Sequence, residues 1–392
     1  MDSGTNRKLN ILLVVPWDQE SGGVAAVVGY LAGHLESEGH RVLFLHPGGS
    51  DLWTHKKTKW GFPGVEIKLR APFNPNYPVR SVIAFLVMFP FTLLQLVRLL
   101  RAKAIRVVNI HYPGEHFVYF AFCRWLLRIR LVISIHGMDA IRWNAPSLPP
   151  SRALSLVFRA ADLIIAPSWR FLRRCDDLLA PFSAPRLAIH NGTDLSDLES
   201  LDRQMENAQP LFILSVCSLD EWKGLDVLIR AVAMLRDECE PIECVIAGEG
   251  PFRPQLESLI ADLDVQEQVR LVGQQPRHAV ARLLHQCTLF VLPSRFESFG
   301  IAVVEAMACG KAVVGTNVDG ILEIIDDWKD GILVDADDVL ALATAIRLLL
   351  DDPALRQRLG DAARARVKNQ FQRQQMGESY SHAFQEVLAD GV

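Results

Sequence analysis

Short apolar runs alternate with helix-spaced segments along this chain, and that alternation constrains the fold more than any other feature. In the first half the runs are NILLVV (10–15), RVLFL (41–45), IRVVNIH (105–111), LVISIH (131–136), ADLIIAPS (161–168) and RLAIHNG (186–192). The segment VAAVVGYLAGHLES, between the first two, has helical spacing. The second half repeats the scheme with LFILSVCS (211–218), ECVIAGEG (243–250), QVRLVGQ (268–274), CTLFVLPS (287–294), AVVGT (312–316) and GILVD (331–335). Strands separated by helices predict βαβ units, because two parallel strands need a long crossover and a helix is the usual one. The polar stretch 195–210, LSDLESLDRQMENAQP, has no strand pattern and reads as a linker. At 392 residues the chain fits two cores better than one. The expected fold is therefore α/β, with two doubly wound parallel-sheet domains facing a central cleft. Their expected bounds are 1–200 and 201–375, with a C-terminal helix, 376–392, packing back toward the first domain.

Half the residues are hydrophobic and 22% are charged, a globular composition with no low-complexity tract. Seven scattered cysteines without a CxxC pair argue for reduced thiols in the cytoplasm and against a zinc site. The start of the chain has no signal-peptide layout, since no cleavage region follows its first apolar run. Net charge is −4, but residues 52–131 hold 13 Lys and Arg against two acids, a local balance of +11. The same region contains SVIAFLVMFPFTLLQLVRLL (81–100), which carries no charge from Ser81 to Val97. Three readings stand: a buried helix of a large domain, a helix on an anionic membrane surface helped by Arg98, Arg101, Lys103 and Arg106, or a span. Seventeen uncharged residues interrupted by Pro90 fall at the short edge of the roughly 20 that a bilayer needs.

In doubly wound sheets, ligands bind beyond the carboxyl ends of the strands. After the first strand, Gly22 and Gly23 precede a helix, where backbone can approach an anion. His111 and His136 each end a strand, with loop glycines behind them. HNGTD (190–194) is either a site element or a turn in which Asp194 caps a helix. Lys223 lies between a strand and a helix, placed to meet phosphate or to be solvated. The junction GEGP (248–251) has Pro251 suited to a first helical position. SRFESFGIAVVEAMACG holds Glu305 inside an apolar run, with Glu297 eight residues earlier. Burying an unpaired carboxylate costs several kcal/mol, so Glu305 needs a partner: ligand hydroxyls, a neighbouring backbone group or an arginine. The run DAD (335–337) reads as a helix opening rather than a metal site.

The spacing E-x7-E, as ESFGIAVVE, resembles the signature of family-4 glycosyltransferases of the GT-B fold. The likeness extends across almost the whole chain, through GGVAAVV, SIHGMD, LIIAPS, IHNGTDLSDL, KGLDVLIRAVAML, VIAGEGPFRPQLESL and EAMACGKAVVGTNVDGILEII. It implies Rossmann-like domains, the first binding acceptor and the second a nucleotide-sugar. It also implies that Glu305 holds the ribose, Glu297 contacts the donor sugar, and Phe299, Gly300 and Ile301 present backbone to sugar or phosphate. Lys223 would meet the diphosphate, Gly23 would approach it from the other domain, and His136 would touch the transferred sugar. Such enzymes retain anomeric configuration and need no metal. Two departures stand out. Cys217-Ser218 replaces the family's Gly-Arg, whose arginine helps neutralise the diphosphate. Asp319 to Glu323 replaces the paired-glycine GGxPE block, bringing an additional carboxylate near the donor.

The expected function is transfer of a hexose, UDP-linked by default, to a hydroxyl acceptor such as a lipid-linked or cell-surface glycan. The donor is a co-substrate; no cofactor, metal or nucleic-acid partner is expected. The protein would be cytoplasmic, meeting an anionic membrane surface through 81–106. Two alternatives keep the fold but change the chemistry: a nucleotide-sugar epimerase, and a catalytically silent sugar-nucleotide-binding protein.

Overall fold

The structure, a computed structural model, describes residues 8–16, 22–141, 151–194, 212–236 and 242–389. The expected linker, 195–210, lies outside the described residues. The chain divides into two compact units: Met1–Ile189 with Met376–Val392, and His190–Gln375.

The first unit is built on eight strands: β1 (Asn10–Val14), β2 (Arg41–Pro47), β3 (Thr54–Lys57), β4 (Pro63–Ile67), β5 (Val107–His111), β6 (Arg130–Ser134), β7 (Leu163–Ala166) and β8 (Arg186–Ala188). Their order is β3-β4-β2-β1-β5-β6-β7-β8, parallel throughout except for β3, which runs antiparallel to β4 at one edge. Ile11, Leu12, Leu13 and Val14 are all fully buried, so β1 is covered on both faces. The cover includes α1 (Gly23–Ser37), α2 (Pro78–Ala102) and α3 (Val118–Leu126). The final helix, Arg373–Ala389, buries Tyr380 and Phe384 in this unit. It comes so close to α1 that a Cβ at Gly377 would lie 2.2 Å from the His34 ring. Its Ser381 hydroxyl donates to Glu38 at 2.5 Å, and His40 stands 3.2 Å away.

The β3–β4 pair has no counterpart among the sequence's apolar runs. THKK is wholly polar and PGVEI opens on a proline, which suits strands near a sheet edge, where one side needs no partner. α2 continues through Pro90 and divides by environment. Thr92, Gln95, Leu96, Val97, Leu99 and Leu100 are buried, whereas most of its first three turns lies open. A buried helix therefore describes only its C-terminal half.

The second unit has six parallel strands: β9 (Phe212–Val216), β10 (Glu243–Ala247), β11 (Val269–Gly273), β12 (Leu289–Leu292), β13 (Ala312–Thr316) and β14 (Ile332–Val334), in the order β11-β10-β9-β12-β13-β14. Alternate residues feed two cores. Ile213, Ile246 and Val291 join Leu225, Leu228 and Val232 on one face. Phe212, Leu214 and Phe290 join Val304 and Met307 on the other. The DAD run leads into the helix Val339–Asp351, whose first turn is capped by Asp338 accepting from the Ala341 N–H at 2.8 Å. In both sheets the strand order reverses beside the first strand, between β1 and β5 and between β9 and β12. Those reversals open crevices at the carboxyl ends of the strands.

Candidate functional site

In the second unit the crevice between β9 and β12 gathers most of the singled-out residues. β9 leads through Ser218, which is exposed, into a turn, Glu221–Lys223, and Gly224 then starts the helix Leu225–Leu235. Gly224 has φ +63°, and a Cβ there would lie 2.0 Å from the Pro293 carbonyl oxygen. Only glycine lets the β9 turn lie against the end of β12. This contact sets Lys223 beside the β12 loop, where its Nζ donates to Glu297 Oε2 at 2.5 Å. Burial opposes the lysine's charge, but Glu297, with smaller help from Cys217 and Asp220, outweighs it, so the Lys223 pKa is raised. The ammonium has three N–H groups, so the Glu297 contact leaves donors for an anion.

The loop after Glu297 turns into the helix Ile301–Ala308 through Gly300, at φ +107°. Phe299 is buried in the core and Gly320 lies against it; a Cβ at Gly320 would sit 2.5 Å from the Phe299 Cα. The Gly320 N–H donates to the Glu297 carbonyl at 3.0 Å, so the 319–323 block braces the Glu297 loop. Glu323 accepts from His190 Nε2 at 2.7 Å, and the His190 ring stacks on Phe299 with centroids 5.7 Å apart. Glu323, which stands where GGxPE also has its glutamate, is thus held by a histidine, whereas the additional carboxylate of this block is Asp319.

Glu305 is 9% exposed and accepts from Arg277 Nη1 at 3.2 Å. Burial raises its pKa and Arg277 only partly opposes the rise. Of the partners expected from sequence, the arginine is present, bound to Oε1. Arg277 was missed because it is remote in sequence. Its signal is positional: it opens the helix Arg277–Gln286 just beyond β11, at the same carboxyl edge of the sheet.

The first unit brings a different set to the β1/β5 crevice. Gly23 opens α1, behind Gly22 at φ +116°; part of the preceding loop, 17–21, lies outside the described residues. His111 Nδ1 and His136 Nε2 are 3.0 Å apart, so one carries the proton of a shared N–H···N bond. The rings stack with centroids 5.2 Å apart. Burial drives His136 down to about 3; burial and then its neighbour drive His111 well below the usual range. Both imidazoles are therefore neutral near pH 7, suited to hydrogen bonding rather than cationic catalysis. Asp139 accepts the His136 N–H at 3.1 Å and the Gly137 N–H at 2.7 Å, and its own pKa is pushed by burial to about 6. Tyr112 lies 4.9 Å from the His136 ring at φ +55°, an uncommon conformation for a bulky residue. An apolar hollow here is lined by Val15, Pro16, Val28, Trp60, His111 and Tyr112.

Of the remaining residues, Asp194 pairs with Arg373, while the helix it was expected to cap lies outside the described residues. Gly248 approaches β9 so closely that a Cβ would lie 1.8 Å from the Cys217 carbonyl oxygen. Among the described residues no cluster of three or more His, Cys, Asp and Glu is arranged to hold a metal ion. The described cysteines are all free thiols.

Comparisons with known proteins agree with this fold. Residues 21–197 match the family model "Glycosyltransferase Family 4", and residues 199–366 match "Glycosyl transferases group 1". Glycogen synthase from Mycobacterium tuberculosis is 28% identical over 384 residues, 92% of this chain and 91% of that protein. A Campylobacter jejuni protein, N-acetylgalactosamine-N,N'-diacetylbacillosaminyl-diphospho-undecaprenol 4-alpha-N-acetylgalactosaminyltransferase, is 29% identical over 300 residues, 74% of this chain and 80% of that one. The solved structure of Anabaena HepE in complex with UDP-glucose superposes with a TM-score of 0.73 at 19% identity, covering 96% of this chain and 100% of that one.

Proposed function

The chain belongs to the family-4 glycosyltransferases of the GT-B fold, and on that premise we propose that it moves a hexose from a UDP-linked donor to a lipid-linked or cell-surface glycan. As a member it is an enzyme that transfers a sugar from a nucleotide-sugar to an acceptor. The reading is supported by the Lys223–Glu297 contact past the ends of β9 and β12, with Glu305 on the helix that follows β12. UDP as carrier is supported by the HepE complex, and a lipid-linked acceptor by the name of the Campylobacter relative.

In this reading Lys223 offsets the diphosphate charge, and the backbone at Phe299, Gly300 and Ile301 meets phosphate or sugar at a helix N-terminus. Glu305 accepts two ribose hydroxyls, with Arg277 orienting the carboxylate. Glu297 receives the donor sugar once Lys223 turns to phosphate. In the first unit, Gly23 offers backbone to the diphosphate and neutral His136 bonds a hydroxyl of the transferred sugar. The Trp60 hollow receives the acceptor. The anomeric C–O bond to phosphate breaks and a bond to the acceptor oxygen forms with configuration retained. The hydroxyl proton leaves with the diphosphate, which is stabilised electrostatically rather than through a covalent enzyme intermediate. The enzyme works without a metal, in the cytoplasm, at the inner face of a membrane.

The test is a thermal-shift screen of the protein against nucleotide-sugars, followed by turnover of the best binder with and without acceptor extract. Sugar released freely without acceptor would instead mark an epimerase; binding without turnover would mark a silent binding protein, the alternative raised by Ser218.

A further inference from the structure

α2 inverts the usual arrangement of a surface helix, in which the solvent side is polar. Val79, Val82, Ile83, Leu86, Val87 and Leu94 are exposed large hydrophobics, with Leu86 64% and Val87 66% open. At 100° per residue most of them fall on one face. Arg80, at the start of the helix, and Arg98 and Arg101, near its end, are exposed on the same side. None of these three arginines has an ion-pair partner among the described residues. The whole of Pro78–Ala102 contains no acid.

The surface extends beyond α2. Phe89 meets Phe122 of α3 edge-on, with centroids 5.0 Å apart, and Phe122 meets Trp125 in the same way at 5.5 Å. Trp125 stands 71% exposed, beside exposed Leu126 and Arg128. An apolar band rimmed by unpaired cations and tipped by a tryptophan suits the boundary between acyl chains and anionic headgroups.

Two other occupants fit less well. α2 cannot cross a bilayer without tearing Leu96, Val97, Leu99 and Leu100 out of the first unit's core. A two-fold contact with a second copy would set like-charged arginine rims against one another, with no acid on α2 to answer them. We propose that the exposed face of α2, together with Trp125 and Leu126, docks this enzyme flat on a bilayer bearing anionic headgroups. This deepens the lipid-linked-acceptor reading and rests on it only for its biological purpose.

The experiment is co-sedimentation of the full chain with phosphatidylglycerol–phosphatidylcholine vesicles and with pure phosphatidylcholine vesicles, alongside sedimentation equilibrium without lipid. The expected result is pelleting with the anionic vesicles and substantial release at about 1 M salt, where the Debye length falls to about 3 Å. Each arginine near such a surface is worth about fivefold in partitioning, so Arg80→Gln, Arg98→Gln and Arg101→Gln together should weaken binding on the order of 100-fold. Leu86→Glu, at an open position that leaves the fold intact, should weaken it as well. Donor binding by calorimetry without lipid should be unchanged in both variants, which separates docking from sugar transfer. Failure to pellet with either vesicle would overturn the proposal. So would release by detergent alone, or a lipid-free dimer that Leu86→Glu dissolves. If pelleting fails while acceptor-dependent transfer persists, the docking surface is wrong and the enzymatic reading stands. If pelleting holds while no lipid-linked acceptor is glycosylated, docking stands and the acceptor reading falls.

Discussion

Glu305 sits where burial and an arginine pull its charge in opposite directions, and burial prevails. The fold thus gains little from the ionised carboxylate, so Glu305→Gln should leave the thermal midpoint almost unchanged. Donor binding is different, because in the proposed ribose role the charge-assisted bonds to hydroxyls are lost. Roughly 1.5–3 kcal/mol, or about 10- to 150-fold in affinity by calorimetry, is the expected cost. Equal affinities would remove the ribose role. A raised pKa means that Glu305 takes up its proton at a higher pH than an ordinary glutamate. The ionised form is the one that accepts two hydroxyls, so donor affinity should fall as pH drops through the raised value. Arg277→Gln removes the guanidinium charge that opposes the rise and should move that fall to higher pH; an unmoved profile would show that Arg277 does not act through Glu305. Ser218 is exposed at the end of β9. Restoring the family's residue with Ser218→Arg should tighten donor binding several-fold, the scale of a partly exposed ion pair of about 1 kcal/mol. Weaker binding would mean the crevice has been reshaped around serine. The sequence made Glu305 conspicuous as a charge in an apolar run, but it could not name Arg277, because the pair forms only when β11 and β12 enter one sheet.

At the scale of elements, the strands most legible in the sequence are those covered on both faces. An unbroken apolar run such as LFVL has few alternatives, whereas the edge strand THKK carries no apolar signal. The half-open α2 was ambiguous for a related reason. Its composition resembles core, membrane face and span alike, and the burial of Leu96, Val97, Leu99 and Leu100 separates them. The crevice depends on one glycine contact that spacing does not reveal. Gly224→Ala would force a side chain into the left-handed region and against the Pro293 carbonyl. It should destabilise the chain by at least about 1–2 kcal/mol in denaturant unfolding. It should also weaken donor binding by displacing Lys223 from Glu297. Wild-type stability would show that the β9 turn relaxes freely and does not fix the lysine.

At the scale of the whole molecule, the two units have the same logic: a sheet whose order reverses beside its first strand, with chemistry-bearing side chains just past the carboxyl ends. The twofold alternation of runs made the two sheets readable. The division between units falls between residues 189 and 190, just ahead of HNGTD rather than in the polar stretch after it, and Thr193 pairs with the backbone of Phe371 and Arg373 within the second unit. That contact is nearly 180 residues apart in sequence and leaves no local mark. The proposed charge neutralisation by Lys223 and helix termini predicts that transfer survives EDTA; activity lost to chelation and restored by magnesium or manganese would contradict it. The most direct measurement of the central claim follows a sugar-labelled nucleotide donor over time, with and without a membrane extract as acceptor, for the wild type and Lys223→Ala. The account predicts that nucleoside diphosphate appears only with acceptor, that label moves into the glycolipid fraction in equal amount, and that Lys223→Ala slows both together. Label released as free sugar without acceptor, or donor bound and never consumed, would contradict it.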